Sequence, residues 1–163
     1  IGMRLSRHEK VEAFASIAGP SLSIDETILA QIKSNPFNPP NITKEAEDIF
    51  NKLRNGESVS TIPPYLMAVF RPSIQPFMRS WMKYDPLLEI EKLDIPILVV
   101  AGSTDLQVTV EDAQRLQIAN AKAELKVIEG MNHVLKNSSE TRALIIMKAR
   151  FARITPTGAP AWA

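Results

Sequence analysis

The sequence has no cysteine and almost no excess of either charge. The absence of cysteine excludes disulfide bonds and thiolate zinc sites. With 19 Lys and Arg against 18 Asp and Glu, the net charge is +1. We therefore expect no nucleic-acid partner, because such a partner selects a basic surface. The chain has only two histidines, His8 and His133, so we expect no metal ion. No apolar run approaches the roughly 20 residues of a membrane span.

The composition that is present is globular, and three short runs predict strands of one parallel sheet. Apolar residues make up 45% of the 163 residues. The predicted strands are 11–18, 95–102 and 125–129. The middle run, IPILVVAG, is continuously apolar, which is typical of a strand buried on both faces of a parallel sheet. Residues 109–120 predict a helix between the last two strands, with Thr109 and Asp112 placed as a capping box.

The middle of the chain, residues 20–86, has a different character. It holds most of the 12 prolines and shows no strand pattern. Four helices are predicted there, over about 22–34, 42–55, 64–71 and 73–83. This region is either a separate small helical domain or a cap over the carboxyl edge of the sheet. We favour the cap, because the chain leaves one strand at Gly19 and later returns to the same sheet.

Polar residues with catalytic chemistry follow the second and third predicted strands. Asp105 comes after 95–102, and His133 comes after 125–129. Neighbouring parallel strands lie about 4.8 Å apart, so the two loops can bring these side chains within hydrogen-bond reach. A carboxylate on one imidazole nitrogen fixes the tautomer and stabilises the imidazolium formed during proton transfer. Because Thr109 already caps the helix, Asp105 is expected to be free for this role.

Residues 73–136 carry the patterns Y-D-P, I-P-x-L-x-V-x-G-x-x-D and G-M-N-H. In these patterns the chain resembles the C-terminal part of bacterial α/β-hydrolases of the serine aminopeptidase or lysophospholipase-like kind. The resemblance covers about residues 1–137. It implies a partial α/β-hydrolase fold, in which residues 1–163 form one incomplete domain and Asp105 and His133 are members of the catalytic triad. Intact relatives are expected to hydrolyse small acyl esters or peptides through an acyl-enzyme, without a cofactor.

The sequence departs from that family at the nucleophile. The family's serine lies in G-x-S-x-G, and no two of the six glycines here lie four residues apart. The resemblance implies that this elbow precedes Ile1. Ser21 and Ser103 follow predicted strands but lack the elbow. A helix is predicted over 138–152, although residues 140–163 do not resemble the family's closing segment.

The remaining expectations concern the pocket, the partners and the location. Phe77, Trp81 and Met131 are candidates for a substrate pocket beneath the cap, although helical spacing also suits Phe77 and Trp81 to ordinary packing. The open edge of strand 11–18 predicts a homodimer, because an unpaired strand recruits a partner. No signal peptide is visible, which favours the cytoplasm.

Two functional hypotheses follow. The first is a hydrolase-like protein that retains Asp105 and His133 but lacks the serine. Such a chain is expected to be inactive alone, although a second chain could supply the serine. The second is a non-catalytic homo-oligomeric module that reuses the scaffold for binding or assembly.

Overall fold

The structure is a computed structural model that describes residues 2–35, 38 and 40–137. The predicted helix over 138–152 and the tail to residue 163 lie outside the described residues. The elements in chain order are α1 (Gly2–His8), β1 (Phe14–Ile17), α2 (Ile24–Ser34), α3 (Pro40–Arg54), α4 (Met67–Phe70), α5 (Gln75–Trp81), α6 (Pro86–Glu91), β2 (Ile97–Gly102), α7 (Val110–Ala119) and β3 (Ala123–Ile128). Short 3-10 helices, Pro64–Leu66 and Pro72–Ile74, precede α4 and α5. Within the described part of the chain, no helix is long and apolar enough to cross a membrane.

The described strands form one sheet in the order β1-β2-β3, and both neighbouring pairs are parallel. The register begins with Phe14 beside Ile97 and Ile97 beside Ala123. This arrangement confirms the predicted α/β class, with three parallel strands in one sheet and flanking helices. The capping box of α7 is also present, with the Thr109 hydroxyl accepting from the Asp112 amide.

The strand bounds differ from the predicted ones for local reasons. β1 is shorter than 11–18, because the first ladder bond is donated by the Phe14 amide to the Pro96 carbonyl. The strand ends before Ala18, whose φ of 50° leaves the extended region.

The other two strands also shift. β2 begins after Pro96 instead of at residue 95, since proline has no N–H to donate to the ladder. β3 covers Ala123–Ile128 instead of 125–129, because its first residue already pairs with the start of β2.

One face of the sheet is packed and the other is partly open. Val99 and Ala101 of β2 form a buried core with Ile90 and Leu116 from the flanking helices. Leu98 points to the opposite face, since side chains alternate along a strand, and it is 39% exposed. Val100, two residues on and on the same face, is buried, so the predicted burial on both faces is confirmed for β2 except at Leu98. In parallel sheets such an apolar face is normally covered.

The helices between β1 and β2 have a core of their own. Phe50 and Phe70 pack edge to face, with ring centroids 4.7 Å apart, and Leu53 and Leu66 are fully buried beside them. The buried Gln75 amide ties this cluster together, because it donates to the carbonyl oxygens of Val59 and Phe70. The helices predicted in this region are present, except that 64–71 divides into a 3-10 turn and α4, and 73–83 divides into a 3-10 turn and α5, which ends at Trp81.

This helical segment, residues 24–81, meets the sheet layer where the strands end. The Gln31 side chain donates to the Gln107 carbonyl at 3.5 Å. Leu22 and Thr27 line a small crevice together with Leu106. α2 therefore lies against the loop that follows β2, the loop that also carries Asp105.

Helix α6 was not among the predicted helices. Asp85 caps its first turn by accepting from the Leu87 amide, and Pro86 occupies the first helical position. The Asp-Pro pair is the signal that identifies this helix start.

Candidate functional site

Asp105 and His133 meet at the carboxyl edge of the sheet. Asp105 Oδ2 lies 2.9 Å from His133 Nδ1, so the predicted hydrogen bond is present. The carboxylate is buried, whereas the imidazole side chain is 34% exposed. Because Nδ1–H donates to the carboxylate, the neutral ring keeps its free lone pair on Nε2. The pair thus has the geometry of an orienting acid and a general base.

Asp105 also organises its own loop. Its second oxygen, Oδ1, accepts from the amides of Gln107 at 2.8 Å and Val108 at 3.0 Å. Thr109 caps α7 and Asp105 is bonded to His133, as expected, and the bonds of Oδ1 give Asp105 a further role within its loop. One carboxylate oxygen holds the backbone and the other holds the imidazole, which fixes the direction in which Oδ2 points.

The loop that carries His133 is a compact turn built around Asn132. The Asn132 side-chain oxygen accepts from the amides of Val134 and Lys136, both at 3.1 Å. The Asn132 amide donates to the Lys136 carbonyl at 2.9 Å, and Leu135 takes a φ of 60°. These local bonds hold the segment that presents the imidazole.

The exposed side of the imidazole borders an open groove of about 200 Å³. Its lining combines apolar and polar side chains, namely Thr104, Leu106, Gln107, Asn132, His133 and Val134. Ligand pockets usually enclose about 300–1,000 Å³. The groove alone therefore accommodates only a small group beside His133. No cluster of three or more His, Asp or Glu side chains that could hold a metal ion occurs among the described residues.

The three candidate pocket residues lie elsewhere. Phe77 and Trp81 are on α5, with ring centroids 5.4 Å apart, and Trp81 lines a separate cleft of about 180 Å³ with Phe14 and Tyr84. Met131 is buried next to β2. None of the three lines the groove beside His133. Their assignment to a substrate pocket stays a prediction.

The two serines near the sheet edge have structural partners. The Ser21 hydroxyl is buried and donates to Asp112 Oδ1 at 2.6 Å. The Ser103 hydroxyl accepts from the Gly130 amide at 2.8 Å. Neither hydroxyl is bonded to His133 among the described contacts, so neither is arranged as a nucleophile.

Asp112 is the anchor that sequence reasoning missed. Burial opposes ionisation of its carboxyl group, but hydrogen bonds from Ser21 and Thr109 outweigh burial and lower the pKa of Asp112. The carboxylate therefore joins the start of the helical segment to the start of α7. The capping box was its only visible signal, and Ser21 lies 91 positions away along the chain.

Neither a protein-family model nor a curated protein matches the sequence. Solved structures to which the chain is similar include the esterase domain of a Rhodothermus marinus protein, at 16% identity and a TM-score of 0.49, over 93% of this chain and 55% of that one. A Pseudomonas aeruginosa hydrolase is 15% identical, with a TM-score of 0.40, over 78% of this chain and 51% of that one. An enol-lactonase from Burkholderia xenovorans is 15% identical, with a TM-score of 0.39, over 78% of this chain and 52% of that one. The chain thus spans about half the length of the solved structures it matches.

Proposed function

We propose that residues 1–163 are the C-terminal part of an α/β-hydrolase-like domain and supply Asp105 and His133 to a serine hydrolase triad. The serine comes from residues outside this sequence. The observation that carries the proposal is the 2.9 Å bond between Asp105 Oδ2 and His133 Nδ1. The chain order Asp then His, and the resemblance of residues 73–136 to that family, agree with it.

The chemistry assigned to the pair is proton transfer during acyl transfer. His133 Nε2 takes the proton from the serine hydroxyl as its oxygen bonds to the acyl carbon of an ester or peptide. The imidazolium, stabilised by Asp105, then protonates the leaving alcohol or amine as its bond to the acyl carbon breaks. Water releases the acyl group in the same way, with His133 again the base. No cofactor takes part in these steps.

We propose that the region of about residues 20–86 is the cap of this site. The contacts of α2 with the loop after β2 support this role, since that loop carries Asp105 and part of the groove. A cap at this edge limits the shape of an acyl substrate and excludes water from the reacting atoms.

The experiment distinguishes the contribution of Asp105 and His133 from that of the serine nucleophile. The purified chain is incubated with a fluorophosphonate and a chromogenic short-chain ester, alone and after co-expression with an α/β-hydrolase amino-terminal segment that carries G-x-S-x-G. The chain alone should give neither labelling nor turnover. The co-expressed pair should label on the elbow serine, and His133→Ala should abolish the labelling while His8→Ala does not. Labelling that survives His133→Ala would overturn the proposal. The codons upstream of Ile1 give an independent check, since the proposal expects an in-frame G-x-S-x-G.

A second candidate function is a non-catalytic, homodimeric assembly module. It is favoured by the open face of the sheet, where Ile17 is 53%, Leu98 39% and Ile128 41% exposed. β1 is also an edge strand among the described residues. Its amides at Phe14 and Ala18 donate to β2, so those of the alternating residues Ala15 and Ile17 face outward. A second copy would pair with the open edge and cover Ile17, Leu98 and Ile128, which share this face with the exposed Glu124 and Lys126.

Light scattering tests this candidate and distinguishes pairing of the two copies edge to edge, through β1, from packing of the two open sheet faces against each other. Ala15→Pro removes an outward-facing donor and should dissociate a dimer formed edge to edge. Ile17→Lys places a charge on the open face and should dissociate a dimer formed face to face. A monomeric wild-type chain at high concentration would eliminate the homodimer in both modes.

A further inference from the structure

Gly102, the last residue of β2, and the next two residues, Ser103 and Thr104, contact the backbone just before His133. The Gly130 amide donates to the Ser103 hydroxyl at 2.8 Å, and the Thr104 hydroxyl donates to the Gly130 carbonyl at 3.0 Å. The Thr104 amide donates to the Met131 carbonyl at 3.2 Å. Gly102 lies directly against that carbonyl, where a Cβ atom would not fit. Both polar groups of Gly130 are therefore bound by side chains of the other loop.

Gly130 makes this arrangement possible. Its φ of 73° is in the left-handed region, which glycine adopts at little cost. In this conformation its N–H and C=O both reach the residues that follow β2. The contacts come in chain order, with Gly102, Ser103 and Thr104 facing Gly130 and Met131, and Asp105 facing His133.

We infer that Ser103 and Thr104 are positioning residues for the Asp105–His133 pair. This inference rests on the proposed function, because it assigns a role in presenting the triad base. The two hydroxyls fix the backbone three residues before the imidazole, while Asp105 fixes the ring itself. A hydrogen bond between side chains on two loops persists only when both backbones are held, and the clamp (Ser103 and Thr104 on Gly130) supplies that restraint.

The test follows the imidazole directly, by NMR of the full chain labelled with 15N-histidine. His133 should give a slowly exchanging Nδ1–H signal that disappears in Asp105→Asn and His133→Gln. Ser103→Ala and Thr104→Val should each accelerate its exchange about fivefold, the effect expected for one lost hydrogen bond. Thr104→Ser keeps the hydroxyl and should restore slow exchange. The matched controls are Ser60→Ala and Thr61→Val, which change exposed neighbours in the helical segment.

The outcomes are separable. A wild-type chain with no such signal would show that the pair is not formed, which overturns the proposed function together with the clamp. A slow signal that keeps its exchange rate in both clamp variants would overturn the clamp alone. A lowered urea midpoint with unchanged exchange would assign Ser103 and Thr104 to general stability and would also overturn the inference. If one clamp variant does not fold, the other clamp variant and Thr104→Ser still decide.

Discussion

Replacing Gly102 with alanine tests how closely the loops that carry Asp105 and His133 are fitted together. A Cβ atom at this position would lie 2.7 Å from the Met131 carbonyl carbon and 3.1 Å from the Met131 Cβ. The nearest obstacle is backbone, which cannot rotate away as a flexible side chain does. The loop that carries His133 must therefore move, and the bonds from Thr104 to Gly130 and Met131 lengthen with it.

We expect Gly102→Ala to lower the free energy of unfolding by about 3 kcal/mol, the upper end for overpacking. Gly56→Ala is the matched control, because Gly56 has a φ of 84° and open space around its Cα. That variant should cost only the left-handed strain, about 1–2 kcal/mol. Urea unfolding with an unchanged m-value measures both. A cost at Gly102 no greater than the cost at Gly56 would refute the argument that the loops are in van der Waals contact there.

Two further predictions concern anchors away from the pair. Asp112→Asn should cost about 2 kcal/mol at pH 7, because Asp112 accepts charge-assisted hydrogen bonds. Because the pKa of Asp112 is lowered in the folded state, this stabilisation is complete above about pH 4 and is lost as the pH falls through the folded-state pKa. Urea unfolding across this range should therefore show a smaller difference in stability between wild type and Asp112→Asn in acid. A difference that stays constant with pH would contradict the prediction. Asn120→Ala should cost about 2 kcal/mol, since it removes the Asn120 donor from the buried Leu93 carbonyl, whereas the Ile90 carbonyl keeps a backbone donor from the Leu93 amide. The control Asn51→Ala changes an exposed residue and should shift the unfolding midpoint little, and equal effects would contradict the assignment.

The parts of the fold that could be predicted follow from local patterns and topology. The contact between Asp105 and His133 follows from two parallel strands ending at one edge. The Thr109 and Asp112 capping box follows from spacing within one helical turn. Both arguments use residues close in sequence or strands adjacent in the sheet, where few geometries are allowed.

The remaining features depend on contacts that no local pattern encodes. The apolar run 95–102 does not reveal that Leu98 is exposed, because exposure depends on what packs against the face. The bond from Ser21 to Asp112 joins residues 91 positions apart. Ala18, which ends β1, adopts a left-handed conformation, and the sequence gives no signal of it because the residue is not a glycine.

The geometry of the pair and the activity proposed for it have different origins. The side-chain hydrogen bonds of Asp105 go to Gln107, Val108 and His133, all within the loops that follow β2 and β3. Folding of these loops assembles the pair whether or not a nucleophile is present. Acyl transfer also needs a serine on a strained turn and donors for the oxyanion, and those groups belong to a different part of an α/β-hydrolase. An intact Asp105–His133 hydrogen bond without turnover is therefore the expected behaviour of this chain, and turnover that depends on His133 should appear only when an elbow serine is supplied.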